Sequence, residues 1–288
     1  MVWLNALLQG VLLGGLYALF AAGLSLMFGV MRFVNIAHGD FIVFAAYLLM
    51  STVVMAGMNP FIGIGLVVVI MGIAGYLGQR FVLNRVLGKD ILPPILVTFG
   101  MSIILQNALL EIFSADSRRV QTGWLETVSI QFNDVVAIGL LPLLMFVAAL
   151  AILGVLQWIF YHTALGRLLR ATSDDAEIVP LMGGNNAHIF GLATMLASGV
   201  VAIAGVLLAM KTNFDPTAGP SRLLFAFEAV IIGGLGSIWG TLAGGIVLGV
   251  AQTLGAQIDS GYQMLAGHIA FLAVLVLRPK GLFPRTIG

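Results

Sequence analysis

Long apolar segments separated by short polar ones organise the whole chain. A helix that crosses the hydrocarbon core of a bilayer needs roughly 20 mostly apolar residues. Segments of about this length lie near residues 4–30, 33–55, 61–77, 93–113, 135–160 and 187–210, and the stretch 222–277 divides into about three more. The pattern predicts an all-α fold, a polytopic transmembrane helix bundle of about eight or nine spans, forming a single transmembrane domain over residues 1–288.

The composition supports lipid as the main solvent of this chain. Hydrophobic residues make up 60% of it and charged residues only 9%, whereas a soluble domain is about one quarter charged. The net charge of +1 provides no basic field for nucleic acid, so membrane lipid is the expected environment and nucleic acid is not an expected partner. Cysteine is absent and the four histidines lie far apart, so we predict no metal site.

The polar connections carry most of the basic residues, and these orient the chain. Lys and Arg near span ends favour the cytoplasmic side. If the spans alternate, one side receives three basic groups: Arg80, Arg85 and Lys89; Arg167 and Arg170; and Arg278, Lys280 and Arg285. We therefore predict a cytoplasmic loop at about 162–186, an external loop at about 114–134, an external N-terminus and a cytoplasmic C-terminus.

A polar cluster interrupts the boundary of the first two apolar segments. It contains Asn35, His38, Gly39 and Asp40. Polar groups at membrane depth are costly, and non-helical backbone is tolerated there only where protein or water surrounds it. The cluster therefore has two open interpretations: a polar hinge that lines a solute pathway, or an ordinary cytoplasmic turn in which Asp40 caps a helix.

Further polar residues fall within the predicted spans. Glu228 lies in an otherwise apolar stretch, where a buried carboxylate that faces the bundle interior and an interfacial group are both open interpretations. Gln252 and His268 are expected to join helices rather than to bind a ligand. The glycine-broken region 223–256 that contains Glu228 could also hold a re-entrant segment.

Glycine is abundant, with 36 residues in the chain. Small residues four positions apart form a flat stripe that lets two membrane helices approach closely. We predict such helix packing in the C-terminal third, at Gly236, Gly240, Gly244, Gly245 and Gly249.

The 162–186 loop has a composition suited to docking. Ser173 could cap a short helix whose first turn holds Asp174, Asp175 and Glu177, the acidic placement that the helix dipole favours. Leu181 adds apolar surface and Gly183 a stop signal. On composition alone, an amphipathic helix that docks to a soluble partner and a solvated connecting loop are both compatible with these residues.

Three motifs resemble the branched-chain amino acid permease family (LivH/LivM-like) of ATP-binding-cassette importers. They are Gly29–Asp40, Leu165–Gly183 and the glycine-rich stretch Ile232–Gly245. Their order and the apolar segments between them extend the resemblance over almost the whole chain. Asp40 stands where many relatives have Glu, a conservative departure.

The resemblance implies partners and a mechanism. Such permeases lie in the bacterial inner membrane as multi-pass proteins, pair with a second related permease, bind two cytoplasmic ATPase subunits, and receive solute from a periplasmic substrate-binding protein. This chain would be no enzyme and hold no cofactor, because ATP and Mg would be bound by the ATPases; a GxxxxGK[ST] phosphate loop is indeed absent. The implied ATPase-coupling residues are Arg167, Arg170, Asp174, Asp175, Glu177, Leu181 and Gly183, and the implied pathway residues are the polar cluster and Glu228.

Two questions stay open at this point. An ion-coupled secondary transporter or channel that acts without ATPase subunits is the alternative, because intramembrane carboxylates and glycine-broken helices also suit such proteins. The solute is open as well, among branched-chain amino acids, urea, short amides and aromatic acids.

Overall fold

The structure is a computed structural model that describes residues 2–88, 90–131 and 137–283. Lys89, Arg285 and the last three residues of the predicted external loop lie outside the described residues. The helices are α1 (Val2–Met31), α2 (His38–Met50), α3 (Pro60–Phe81), α4 (Leu92–Phe113), α5 (Trp124–Thr127), α6 (Leu140–His162), α7 (Ala164–Asp174), α8 (Asn186–Lys211), α9 (Gly219–Gly233), α10 (Ile238–Ile258) and α11 (Tyr262–Leu277). A π-helical segment, Ser51–Met55, extends α2, and a small hairpin pairs β1 (Ser129–Gln131) with β2 (Ala137–Gly139).

Helix α1 forms the axis of the bundle. It packs against α6, α8, α9 and α10, so nearly every residue of its second half is buried. Helix α10 lies along α1 with the two backbones in contact: a Cβ added at Gly14 would meet the backbone of Ile246, and one added at Gly245 would meet Ala18. The absence of side chains at these positions is therefore what lets the two helices approach this closely.

The outer helices leave large apolar side chains uncovered. Ile62 of α3, Ile104 of α4, Val155 of α6 and Val276 of α11 are all more than half exposed. Many exposed apolar side chains are unfavourable in water, but they are favourable in contact with the hydrocarbon core of a bilayer. The all-α membrane bundle predicted from the sequence is thus confirmed.

Seven helical stretches are long and apolar enough to cross a membrane within the described part of the chain. They are Val2–Met31, His38–Met55, Ile62–Arg85, Leu92–Phe113, Leu140–His162, Asn186–Lys211 and Ile238–Ile258, with Tyr262–Leu277 as a shorter apolar helix. The 15-residue α9 adds a partial crossing. The exact count of eight or nine spans stays a prediction.

Two segments turn back into the bundle instead of crossing it. After α1 ends, the chain reverses at Arg32, which has a left-handed φ of 56°, and α2 begins at His38 beside Phe20 of α1. Phe20 lies 11 residues before Met31, or about 16 Å along the helix, which is close to the middle of a bilayer core. The second segment, residues 212–218, leads to α9, whose first residue, Gly219, packs against Asp40.

The non-helical parts of both re-entrant segments therefore lie before the 223–256 region where we had considered one, and the partial crossing of α9 extends into that region. In that region the glycines instead form a tight turn between α9 and α10, with positive φ at Gly234 and Gly236. Ser237 N donates to Gly234 O within this turn, and Ser237 Oγ accepts from Gly240 N at 3.1 Å and so caps α10.

One end of the bundle collects the basic loops. Asn84, after α3, donates to Ala187 O at the start of α8 at 3.0 Å, and Leu282, after α11, donates to Ile232 O at the end of α9 at 2.8 Å. The opposite end carries the bridge between Arg118 and Phe214. We call the first end the basic face; it carries the described members of all three groups, Arg80, Arg85, Arg167, Arg170, Arg278 and Lys280, in the arrangement that the loop charges predict.

Candidate functional site

The polar cluster forms the start of α2, deep in the bundle; we call residues 32–40 the re-entrant hinge. The side chains of Asn35, His38 and Asp40 are 1–3% exposed. His38 Nε2 donates to the carbonyl of Phe20 at 2.8 Å, and Asn35 Oδ1 accepts from Ala37 N at 3.0 Å. These bonds replace the helical ones that the backbone lacks here. The placement excludes the ordinary cytoplasmic turn, and a direct contact of these side chains with solute stays a prediction.

Asp40 joins three helices. Its carboxylate lies near Ser102 and Gln106 of α4, whose side chains favour its charged form. Its Oδ1 atom has no hydrogen-bond partner and lies against Gly219, the first residue of α9. The α9 N-cap, Ala218, contributes no side-chain bond. Asp40 therefore places a carboxylate at the N-terminus of a half-length helix, where the helix dipole favours negative charge.

Gly39 and Gly219 allow this approach. A Cβ at Gly39 would collide with the backbone of Gly219 and Leu223, and a Cβ at Gly219 would collide with Asp40. The start of α2 and the start of α9 thus touch backbone to backbone. Gly39 acts through its missing side chain, which explains its position in the polar cluster.

Glu228 lies on α9 among polar groups from three other helices, which we call the polar layer: Tyr17, Arg222, Glu228, Gln252 and His268. Glu228 is 1% exposed, and its Oε1 lies 2.5 Å from His268 Nδ1 of α11. Tyr17 OH donates to Gln252 Oε1 at 2.5 Å. Glu228 Oε2 and Gln252 Nε2 have no hydrogen-bond partner among the described residues. Glu228 therefore faces the interior rather than the interface.

The expectation that Gln252 and His268 join helices agrees with these bonds. Tyr17 and Arg222 were not singled out from the sequence. In the sequence, Tyr17 cannot be distinguished from the apolar residues around it in α1. It belongs to the polar layer because its hydroxyl donates to Gln252, which lies 235 residues further along the chain. No group of three or more His, Asp or Glu residues that could hold a metal ion occurs in the described parts of the chain.

The predicted glycine stripe holds for four of its five members. Gly240 packs against the backbone of Gly233, Gly244 against Ala229 O, Gly245 against Gly14 and Ala18, and Gly249 against Gly10 and Gly14. Gly236 was wrongly placed in the stripe: with φ of 79° it belongs to the α9–α10 turn, before α10 begins. A left-handed conformation, not helix packing, is what requires glycine there.

The 162–186 loop contains α7 followed by an exposed turn, and we call residues 164–183 the coupling segment. Thr163, not Ser173, caps its helix: Thr163 Oγ1 accepts from Gly166 N at 3.1 Å. Asp174 is the last residue of α7 and Asp175 its C-cap, so the predicted helix start at Ser173 is wrong. The earlier threonine nucleates the helix, and Asp175 then accepts from Glu177 N at 2.8 Å to form a turn.

The end of the coupling segment projects from the basic face. Asp174, Asp175 and Glu177 are exposed, and Leu181 is 86% exposed. Gly183 adopts a left-handed conformation with φ of 81°, as its predicted role as a stop requires. Arg167 is exposed, whereas Arg170 turns inward, donates to Phe160 O and lies over the ring of Tyr161.

Arg32 connects the re-entrant hinge to the coupling segment. Its Nη2 donates to Ser173 O at 3.0 Å, and Ser173 Oγ donates in return to Gly29 O at 2.5 Å. The end of α1 and the end of α7 are therefore bonded to each other in both directions. We call this pair of bonds the Arg32–Ser173 link; nothing in the local sequence signals it, because its partners lie 141 residues apart.

The bundle, with its re-entrant half-helices, buried carboxylate and segment projecting from the basic face, is that of a multi-pass membrane protein. Residues 6–277 match the family model described as "Branched-chain amino acid transport system / permease component". The chain belongs to this family.

Curated relatives agree with this assignment. The chain is 29% identical over 297 residues to the high-affinity branched-chain amino acid transport system permease protein BraD of Pseudomonas aeruginosa, covering 98% of this chain and 96% of BraD. It is 28% identical to the permease protein LivH of Escherichia coli, with the same coverage of each chain. A solved structure, PsaBC from Streptococcus pneumoniae in complex with Fab, aligns over 96% of this chain and 92% of that chain at 16% identity with a TM-score of 0.49.

Proposed function

We propose that this chain is the membrane-spanning subunit of an ATP-driven importer of branched-chain amino acids. The substrate class is that named for BraD and LivH, which match this chain over nearly their full lengths. The partners are a second related permease, two cytoplasmic ATPases that bind ATP and Mg, and a periplasmic substrate-binding protein. The observation that carries the ATP-driven part is the coupling segment, which is exposed on the basic face and bonded to the re-entrant hinge.

The coupling segment offers a surface suited to a soluble partner. Its acidic residues, Asp174, Asp175 and Glu177, are exposed on the same short segment as Leu181. An apolar anchor with a charged rim is the usual composition of a protein interface. In an isolated carrier, so exposed a leucine on a cytoplasmic loop has no evident use.

The Arg32–Ser173 link gives ATPase motion a route into the membrane. A displacement of α7 pulls on Gly29 and Arg32, and Arg32 is the residue at which the chain reverses into the bundle. The hinge in turn carries Asp40, which lies against the start of α9. Movement at the cytoplasmic surface would thus reach both half-helices, α2 and α9, through contacts between packed elements.

Alternating access follows from this arrangement. Half-helices that end inside the bundle can move as a pair, since Gly39 and Gly219 hold the starts of α2 and α9 in backbone contact. ATP-driven closure of the ATPases would draw the coupling segments together, and the hinge and α9 would transmit the change to the solute path. This chain supplies binding surface and movement; the ATPases supply hydrolysis.

Reconstituted vesicles test the proposal. We expect uptake of radiolabelled leucine only when both permeases, both ATPases, the binding protein and ATP are present. Omission of the ATPases with a sodium or proton gradient imposed is the matched control. Uptake under that control condition would reject an ATP-driven importer.

The ion-coupled transporter is the second candidate, and the polar layer is the observation in its favour. Glu228 is a buried carboxylate with a free oxygen, the type of group that ion-coupled carriers use. The family assignment and the coupling segment favour the importer. The gradient-driven arm of the vesicle experiment separates the two.

A further inference from the structure

A cavity of about 740 Å³ opens on the basic face beside the coupling segment. Its walls come from the ends of α1 and α6, from α7 and from the α9–α10 turn. The residues used below are Ser25, Arg32, Tyr161, Arg170, Ser237 and Trp239. Neither the buried residues of the polar cluster nor Glu228 contributes to it, so the pathway proposed above does not explain this cavity.

We propose that the cavity binds the phosphate headgroup of an anionic phospholipid from the cytoplasmic leaflet. Arg32 and Arg170 both line it. Each uses one guanidinium nitrogen on a backbone carbonyl, Arg32 on Ser173 O and Arg170 on Phe160 O. A guanidinium has five N–H donors, so both retain donors for a phosphate while the carbonyl bonds hold them in place.

Two further features of the wall favour an anion. Ser237 caps α10 and brings the N-terminus of a 21-residue helix to the cavity, where the helix dipole attracts negative charge. Ser25, which also lines the cavity, is 2% exposed, and its buried hydroxyl oxygen has no hydrogen-bond partner among the described residues. Asp174 also lines the cavity, so the charged lining is two guanidiniums against one carboxylate.

The rim of the cavity favours a lipid over free phosphate. Trp239 and Tyr161 lie there and are 46% and 58% exposed. Tryptophan and tyrosine concentrate at the level of lipid headgroups, and basic pockets between helices on the cytoplasmic side suit anionic headgroups. The exposed apolar face of α6, which includes Val155, continues from this rim and would accompany an acyl chain.

A bound lipid would also touch the link on which coupling depends. Arg32 both lines the cavity and bonds Ser173. A phosphate bound to the guanidinium of Arg32 would restrict its movement and so stabilise the contact between the end of α1 and α7. The lipid site itself needs only that the basic face is cytoplasmic, and its test does not depend on the ATP-driven function.

Native mass spectrometry of the purified permease, with any subunits that co-purify, tests the site. We expect dioleoyl phosphatidylglycerol to be retained in preference to dioleoyl phosphatidylcholine when both are supplied equally. Arg32→Ala and Arg170→Ala should each weaken phosphatidylglycerol binding about tenfold, the effect of one lost charge-assisted hydrogen bond. Arg85→Ala removes an exposed cation of the same face that does not line the cavity, and should leave binding unchanged.

Two outcomes would overturn the proposal. One is equal retention of the two lipids by the wild-type complex, a measurement that needs no variant to fold. The other is displacement of phosphatidylglycerol by millimolar inorganic phosphate, which would assign the cavity to the free anion. Trp239→Ala, which keeps both guanidiniums, should weaken the lipid and leave inorganic phosphate unaffected; an equal effect on both would count against a lipid.

Discussion

His268 Nδ1 lies 2.5 Å from Glu228 Oε1 and joins α11 to α9. Most side chains of α11 are exposed, and Gly267, beside His268, is its one fully buried residue. The bond is therefore the main polar attachment of α11 to the bundle. It also gives the carboxylate of Glu228 a partner at a depth where an unpaired charge is costly.

Replacing His268 should reduce stability more than replacing Glu228 does. His268→Ala leaves the buried carboxyl of Glu228 without its hydrogen-bond partner, and we expect a loss of roughly 1–3 kcal/mol in stability. Glu228→Gln keeps a hydrogen-bond acceptor for His268 and should cost less. The thermal unfolding midpoint of the purified permease in detergent is the measurement. Equal losses for both variants would show that the carboxylate does not depend on His268.

Asp40 should act through its charge as well as its hydrogen bonds. Asp40→Asn keeps a polar side chain of the same size beside Ser102 and Gln106 but cannot carry a negative charge at the start of α9, and should cost about 0.3–2 kcal/mol. Asp40→Ala removes both and should destabilise the protein further. We expect Asp40→Ala and His38→Ala to reduce leucine uptake while the complex still assembles, as judged by co-purification. Normal uptake would remove the hinge from the transport mechanism.

Close backbone contacts should make selected glycines intolerant of a methyl group. Gly39→Ala and Gly245→Ala would drive a Cβ into neighbouring backbone, and overpacking of this kind costs about 1–3 kcal/mol or more. Gly65→Ala in α3 is the matched control, because a Cβ there meets nothing within 4 Å. The thermal midpoints of the three variants decide the matter: a drop for Gly65→Ala as large as the others would contradict the packing argument.

Charge reversal should test the coupling segment. Lysine at Asp174, Asp175 and Glu177 should leave the protein inserted and abolish co-purification of the ATPases, because all three side chains are exposed at the proposed contact. Asp116→Lys, an exposed reversal at the opposite end of the bundle, is the control. If the triple variant retains its ATPases, residues 164–183 are not the docking surface.

Arg32 should separate hydrolysis from transport. Arg32→Ala removes the bond to Ser173 O, so the ATPases should still bind and hydrolyse ATP while uptake per ATP falls. Arg32→Gly also removes the side chain but suits the left-handed φ of 56°. Uncoupling by both variants assigns the effect to the guanidinium. Recovery of coupling in Arg32→Gly would instead assign it to backbone strain.

The sequence predicts those parts of the fold that depend on local apolar length. The spans now seen as α3, α4, α6, α8 and α10 follow from uninterrupted apolar runs of adequate length. The buried position of Glu228 was one of two open interpretations, and its surroundings decide between them.

Features set by distant contacts could not be predicted in this way. Residues 33–55 are apolar enough to predict a full span despite the polar cluster at their start, yet α2 starts at half depth, where His38 bonds Phe20 of another helix. The helix start at Ser173 failed for a similar reason: Ser173 is committed to Gly29 O, and Thr163 supplies the cap. The acidic residues of the 162–186 loop predicted where the coupling segment lies, but they did not predict where its helix begins and ends.

The glycine contacts between α1 and α10 limit where the bundle can deform. Gly10 and Gly14 meet Gly249 and Gly245 without any intervening side chain. Two backbones that interlock so tightly cannot slide past each other without collision, since side chains have rotamers to exchange and backbone has none. The α1–α10 pair should therefore move as one rigid unit, so any gating displacement must be taken up at other helix contacts, such as the sparse one between α2 and α4.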